Sequence, residues 1–197
     1  MNKSYFCKFE EEFCDPYAHR DFIKGIDFFV NVDSEGRVEN YVLTTSEDNT
    51  IKLWNLSKKC LARKIENAHK DKLYTSCIIS PDDTINKIQK IVVITAGEMY
   101  DPTIKIWDFW DQKLKFQFRF AHKDTIKKLD TFQFKYDTSK KNLLISMGYD
   151  AVTKIWDLNK KYLLQVIRMD LVCETFFKFV VSNTPKPQLL FGYLDFK

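Results

Sequence analysis

The chain has 197 residues, 45% of them hydrophobic and 29% charged, with 31 Lys+Arg against 27 Asp+Glu for a net charge of +4. This is long enough for one sizeable core, too apolar for disorder, and too mildly basic to point to nucleic acid by itself. Five cysteines, far apart and in no C-x-x-C pair, argue against a disulfide framework or a zinc knuckle and for a reducing compartment. Met1 to Lys8 has no apolar stretch suited to a signal peptide, and runs such as Ile91 to Ala96 are strand-length. The expectation is a soluble, intracellular protein with no membrane contact.

Taken in chain order, the elements read as short strands between polar loops. The 17 phenylalanines favour this reading, and no segment holds a 3.6-residue apolar period. A first unit runs from Tyr5 through a loop at His19 and an insert at Asn31 to Asn40, and closes on Thr50 to Trp54. Lys59 to Ile65 is an outer strand, Asn67 to Asp71 a polar loop, and Leu73 to Ile79 a second strand. A polar connection from Ser80 to Lys90 follows. Ile91 to Thr95 then reads as a strand buried on both faces, and Asp101-Pro102 as a turn into Thr103 to Trp107. The order recurs in Lys113 to Phe118, the loop at His122, Ile126 to Phe134, an insert at Lys135 to Lys141, Leu143 to Ser146, and Thr153 to Trp156. A last unit has strands at Lys161 to Ile167, Cys173 to Val181 and Leu189 to Tyr193, with an insert at Ser182 to Gln188.

All three histidines sit in one repeated phrase: Ala18-His19-Arg20-Asp21, Ala68-His69-Lys70-Asp71 and Ala121-His122-Lys123-Asp124. They recur at 19, 69 and 122, steps of 50 and 53. The strand-closing tryptophans recur at 54, 107 and 156, steps of 53 and 49. A period near fifty with the same polar and aromatic marks is an internal repeat. Asp48, Asp101 and Asp150 each lie six residues before the tryptophan. Thr44 and Ser146 lie ten before it, and Thr95 takes that place if two residues are inserted near Gly97 to Tyr100. Four strands per repeat without crossover helices specify an all-β, antiparallel, radially repeated architecture.

These marks, with the closing pairs Trp54-Asn55, Trp107-Asp108 and Trp156-Asp157, resemble the WD40 repeat family of β-propellers, with Ala in place of the usual opening Gly. The resemblance covers nearly the whole chain as one propeller segment, 1–197, with repeats at about 11–65, 66–118, 119–167 and a partial 168–197. It implies about three complete four-stranded blades, an outer strand at the start and an incomplete fourth blade, fifteen strands in all. It also implies a buried polar chain per blade: His19-Asp48-Thr44-Trp54, His69-Asp101-Thr95-Trp107 and His122-Asp150-Ser146-Trp156. Each group would satisfy the next, indole to hydroxyl to imidazole to carboxylate. A hydroxyl, an imidazole and a carboxylate also make a nucleophilic triad, but a set repeated three times and ending on a donor-only indole reads as structural.

Two departures stand out. The turn at Glu98-Met99-Tyr100 is lengthened, and Pro102 falls where Asn49 suits positive φ and Ala151 adopts it at a cost, so this turn needs another shape and is a candidate contact site. The last unit has no histidine, carries Arg168 to Val172 where the loop is due, and ends after Asp195, before a tryptophan expected near position 201. The chain then reads as a segment of a larger propeller; the alternatives are a ring completed by a second copy or another chain, or a free-standing arc.

The family resemblance implies a non-enzymatic scaffold that binds other proteins, with no catalytic, cofactor-binding or metal site and no cofactor. Candidate partner contacts on the histidine-loop face are Arg20, Lys70, Lys72 and Lys123. Trp110 either anchors a partner or tucks against the neighbouring blade. The run Gly148 to Leu158, followed by a unit without histidine, is also similar to transducin-beta-like propellers of the small-subunit processome. The alternative function is therefore a ribosome-biogenesis component contacting RNA or ribonucleoprotein through lysine-bearing rims. Nuclear, nucleolar and cytoplasmic sites all remain open on the sequence.

Overall fold

The computed structural model describes residues 18–32, 35–79, 92–136, 139–168, 175–180 and 188–193, and among them every regular element is a strand. The first sheet consists of β1 (Ile23–Val32), β2 (Val38–Ser46), β3 (Ile51–Asn55) and β4 (Cys60–Ile65), hydrogen-bonded in that order. The second is β5 (Leu73–Ile79), β6 (Val92–Gly97), β7 (Ile104–Asp108) and β8 (Lys113–Phe118). The third is β9 (Ile126–Tyr136), β10 (Ser139–Gly148), β11 (Val152–Asp157) and β12 (Tyr162–Arg168). A two-stranded antiparallel hairpin, β13 (Thr175–Val180) with β14 (Gln188–Tyr193), follows. The three sheets are blades of one design, each an antiparallel meander.

The register repeats with the sequence. The tryptophan strand pairs Trp54 with Val42, Trp107 with Val93 and Trp156 with Leu144. The residue after each tryptophan caps the next turn, because its short side chain accepts a backbone N–H three residues on. Asn55 Oδ1 takes Lys58 N–H at 2.9 Å, Asp108 Oδ1 takes Asp111 N–H at 3.3 Å, and Asp157 Oδ1 takes Lys160 N–H at 2.8 Å. Asn55 thus does the work of its two aspartate counterparts.

The core lies between blades. One cluster joins Leu43, Ile51, Leu53 and Tyr41 of the first blade to Leu73, Val93, Trp107 and Phe109 of the second. Another joins Ile94, Ile104, Ile106 and Phe118 of the second to Ile126, Leu129, Leu144 and Trp156 of the third. Blades therefore stabilise one another face to face, as expected of radial repeats. Among the described residues the first blade's outward face has no such cover: Phe28 is 73% exposed, and Ile26, Val30 and Val38 are exposed with it.

Two inserts differ from the sequence reading. Asn31 to Asn40 and Lys135 to Lys141 were expected as polar loops, but the pairing runs through Val32↔Val38 in one hairpin and Ser139↔Tyr136 in the other. Polar residues do not by themselves end a strand when the hairpin can go on pairing in solvent, and Lys135 to Lys141 contains no Gly or Pro. The insert at Ser80 to Lys90, the leading outer strand, the loop from Met169 to Val172 and Asp195 lie outside the described residues.

Candidate functional site

Antiparallel meanders place the histidine loops (residues 18–22, 66–72 and 119–125) and the turns between second and third strands (residues 47–50, 98–103 and 149–151) on one face. On that face each imidazole points into its own blade. His19 Nε2 lies 2.7 Å from Thr44 Oγ1, whose hydroxyl accepts the Trp54 indole N–H at 2.9 Å, and His19 Nδ1 lies 3.0 Å from Asp48. His69 lies 2.9 Å from Thr95 Oγ1 and 3.1 Å from Asp101, with Trp107 donating to Thr95 at 2.9 Å. His122 lies 2.8 Å from Ser146 Oγ and 2.9 Å from Asp150, with Trp156 donating to Ser146 at 2.9 Å. The twelve residues are thus brought together in three sets of four.

The aspartates also hold the loops. Each accepts the backbone N–H of the residue after the histidine: Arg20, Lys70 and Lys123, all at 2.9 Å. Thr50 and Thr103 add hydroxyl donors to Asp48 and Asp101 at 2.6 and 2.8 Å. Burial alone would push Asp48 up, but Thr50, the Arg20 amide and His19 together hold it down at about 2. Asp101 and Asp150 are likewise held low against their burial, by His69 and the Lys70 amide and by the Lys123 amide and His122 respectively. Burial lowers His69 and His122 despite their carboxylate partners, so both imidazoles are neutral at pH 7. A neutral imidazole fits its place, with one nitrogen donating to carboxylate and the other accepting the hydroxyl proton.

Sequence reasoning missed two further members of this arrangement. The first is the lysine two residues before each tryptophan. Lys105 Nζ donates to Ala68 O at 2.8 Å and to Asp101 at 3.4 Å, and Lys154 Nζ donates to Ala121 O. Lys52 and Lys154 also lie over the Trp54 and Trp156 rings, at 5.6 and 5.8 Å. The signal was visible as a lysine at the same place in Thr50 to Trp54, Thr103 to Trp107 and Thr153 to Trp156. The second is glycine. A Cβ on Gly97 would sit 2.9 Å from His69 Nδ1, and one on Gly148 only 2.6 Å from His122 Nδ1 and from Asp150 Oδ1. The first blade has Ser46 here, and its hydroxyl instead donates to Asp21 O and accepts from Asp48 N–H.

The candidate partner contacts fall in different surroundings. Arg20, Lys70 and Lys123 are exposed on the histidine-loop face. Lys72 is held by Glu47 at 2.5 Å, and Lys24 joins the same carboxylate at 2.6 Å. Arg20 also lines a polar cleft of about 330 Å³ with Asp48, Thr50, Lys52, Lys64, Glu66 and Asn67. Trp110 is half-buried, edge-on to Tyr41 of the first blade at 5.9 Å and 5.9 Å from the Arg63 guanidinium, so it packs across the blade junction.

Residues 15–55 and 59–108 match the family model of the WD domain, G-beta repeat. These are WD40 repeats. The unit from His122 to Trp156 lies outside the matched ranges and builds the same sheet and the same polar chain. The chain is 35% identical over 90 residues to Lissencephaly-1 homolog 1 of Paramecium tetraurelia, a match covering 46% of this chain and 18% of that protein. Among solved structures it is similar to the WD40 repeats of RRP9 (16% identity, 77% of this chain and 40% of that one, TM-score 0.54). It is also similar to the WD40 β-propeller domain of Doa1 (20% identity, 79% and 43%, TM-score 0.57). The chain spans less than half the length of each of these proteins, and at such identities the structural likeness shows the fold alone. The WD40 fold generally serves protein interaction. No helix among the described residues is long and apolar enough to cross a membrane.

Proposed function

We propose that this WD40 chain is a non-enzymatic scaffold segment that holds other proteins on its histidine-loop face, and that its twelve repeated polar residues are structural. One observation carries the reading. Every histidine is paired within a blade to an aspartate, a hydroxyl and an indole, three times over, so the groups best suited to chemistry serve as loop struts. The same face presents Arg20, Lys70 and Lys123 to solvent. The uncovered apolar face of β1 and β2 suits a further blade, from the same protein or from another chain, with the repeats bounded at about 11–65, 66–118, 119–167 and 168–197.

The test is proximity labelling in cells with two charge-reversed variants. One carries Arg20→Glu, Lys70→Glu and Lys123→Glu on the histidine-loop face; the other carries Lys58→Glu, Lys113→Glu and Lys160→Glu on the opposite face. Loss of a defined set of protein neighbours with the first variant alone is expected. Neighbours lost only with the second variant would overturn the choice of face. Retention on RNA with a steep salt dependence would favour the ribonucleoprotein alternative.

A further inference from the structure

The histidine loops share a backbone that their sequences do not serve equally well. The residue two before the histidine is left-handed in both loops where it is described: Asn67 at φ 52° and Phe120 at φ 53°. Asparagine tolerates that conformation, and a bulky aromatic is an outlier there. Phe120 is also 85% exposed, so neither backbone nor burial accounts for it. Strain of this kind at an exposed aromatic is the observation from which function is inferred. The first loop has Tyr17 at this place, outside the described residues.

The exposed charges that flank Phe120 in its loop are cationic. Arg119 and Lys123 flank it, both exposed, and the Gln117 amide oxygen, once turned towards Arg119, accepts from Nε and Nη2 at 3.0 and 3.1 Å. The carboxylates of this face are engaged: Asp124 accepts Thr125 N–H at 2.6 Å, Asp101 holds His69, and Asp150 holds His122. Glu98 lies close enough to Lys72 and Tyr74 to act on both. His122 N–H reaches Pro102 O at 3.4 Å, which seats the loop on the lengthened turn that exposes Met99 and Tyr100.

We propose that Phe120 anchors a docking site for an acidic segment of a partner protein, an apolar side chain packing on the ring while flanking carboxylates meet Arg119 and Lys123. This rests on the scaffold reading above and names the partner's chemistry. An exposed aromatic anchor flanked by cations is the kind of feature that dominates interface energetics.

The decisive variant is Phe120→Asn, which installs the residue the preceding loop carries. Random peptides displayed on phage are selected on the full chain, and the enriched peptides are then titrated against wild type, Phe120→Asn and Lys123→Ala. The expected result is enrichment of an apolar residue flanked by Asp or Glu. Affinity should fall about tenfold or more in Phe120→Asn and less in Lys123→Ala, with a thermal midpoint in Phe120→Asn equal to or above wild type. Binders that ignore Phe120→Asn would overturn the inference and leave the scaffold reading standing. Phe120-dependent binders of basic composition, or Phe120-dependent self-association in sedimentation, would overturn the assigned partner. A lowered midpoint would make Phe120 a stability residue and end the proposal, and a selection yielding no binder would overturn both readings.

Discussion

The junction between the first and second blades and the junction between the second and third are built on one plan and tied with different strength. At the first, Asn49 clamps the histidine loop. Its side chain accepts His69 N–H at 2.8 Å and donates to His69 O at 2.5 Å, and its carbonyl accepts Ala68 N–H at 3.0 Å. At the second, Pro102 offers only its carbonyl, to His122 N–H at 3.4 Å. The first junction is plugged by Phe109, fully buried, and backed by Trp110. The second has the half-buried Leu158 at the position of Phe109, and relies more on Phe118 packed on Trp156 at 4.4 Å. A repeat thus specifies the geometry of a blade without fixing how firmly neighbours are held.

The largest expected effect comes from Phe109→Ala, at about 3–5 kcal/mol by the usual cost of emptying a buried aromatic site. Leu158→Ala should cost about 1–2 kcal/mol and Leu56→Ala, at the uncovered equivalent, under about 0.5 kcal/mol. Equal losses in chemical denaturation would erase the distinction between junctions. Next is Gly148→Ala, which drives a methyl into His122 and Asp150 and should cost about 2–3 kcal/mol. Unchanged stability with an unshifted His122 nuclear resonance would show that the strut has slack the geometry denies.

The pH dependence follows from one buried imidazole at each junction. His69 and His122 have folded pKa values below their unfolded value of 6.5, so the unfolded state takes protons first and stability falls as pH drops below 6.5. A second loss begins below 3.8, where the aspartates of the unfolded chain take up protons while Asp48, Asp101 and Asp150, held low in the fold, still stay charged. Asp27 acts in the opposite sense. Burial, then the charge of Asp130, raises it to about 6, so its folded form binds a proton more readily, and the fold loses stability as pH rises from 3.8 through about 6. Urea midpoints should therefore rise from pH 5 to pH 7.5, and more steeply in Asp27→Asn. A flat profile in Asp27→Asn would refute neutral imidazoles in the struts.

Asn49→Ala should cost about 1–2 kcal/mol, since it removes two clamping hydrogen bonds and an asparagine suited to φ 66°. Hydrogen exchange should then quicken at Ala68 and His69 and leave His122 as before; a uniform change would mean that the junctions are not independent. The one expected gain is Phe120→Asn, about 0.5–1 kcal/mol from relieved backbone strain, readable as a raised thermal midpoint.

Much of the blade was legible because its marks are local and repeated. Leu73 to Ile79 and Lys113 to Phe118 have the bounds the apolar pattern gives them, and the registers place Thr44, Thr95 and Ser146 within reach of their tryptophans. The extent of the β1–β2 and β9–β10 hairpins was not legible, since cross-strand pairing and not residue type decides where an exposed strand stops. Nor was the side to which Trp110 turns, because Tyr41 is far from it in sequence and comes to it only across a blade junction. The need for Gly97 and Gly148 was not legible either, since it comes from imidazoles that reach them only in the folded blade.

The sequence by itself determined the unit: a fifty-residue period whose polar marks need one another wherever the chain puts them, because a buried donor must find its acceptor. Only the tertiary structure decided which surfaces are covered and which are left bare. Ile26 and Leu129 occupy matching places on inner strands, yet one faces solvent and the other a neighbouring sheet. Burial is a property of what packs alongside, and no pattern within a single repeat contains it.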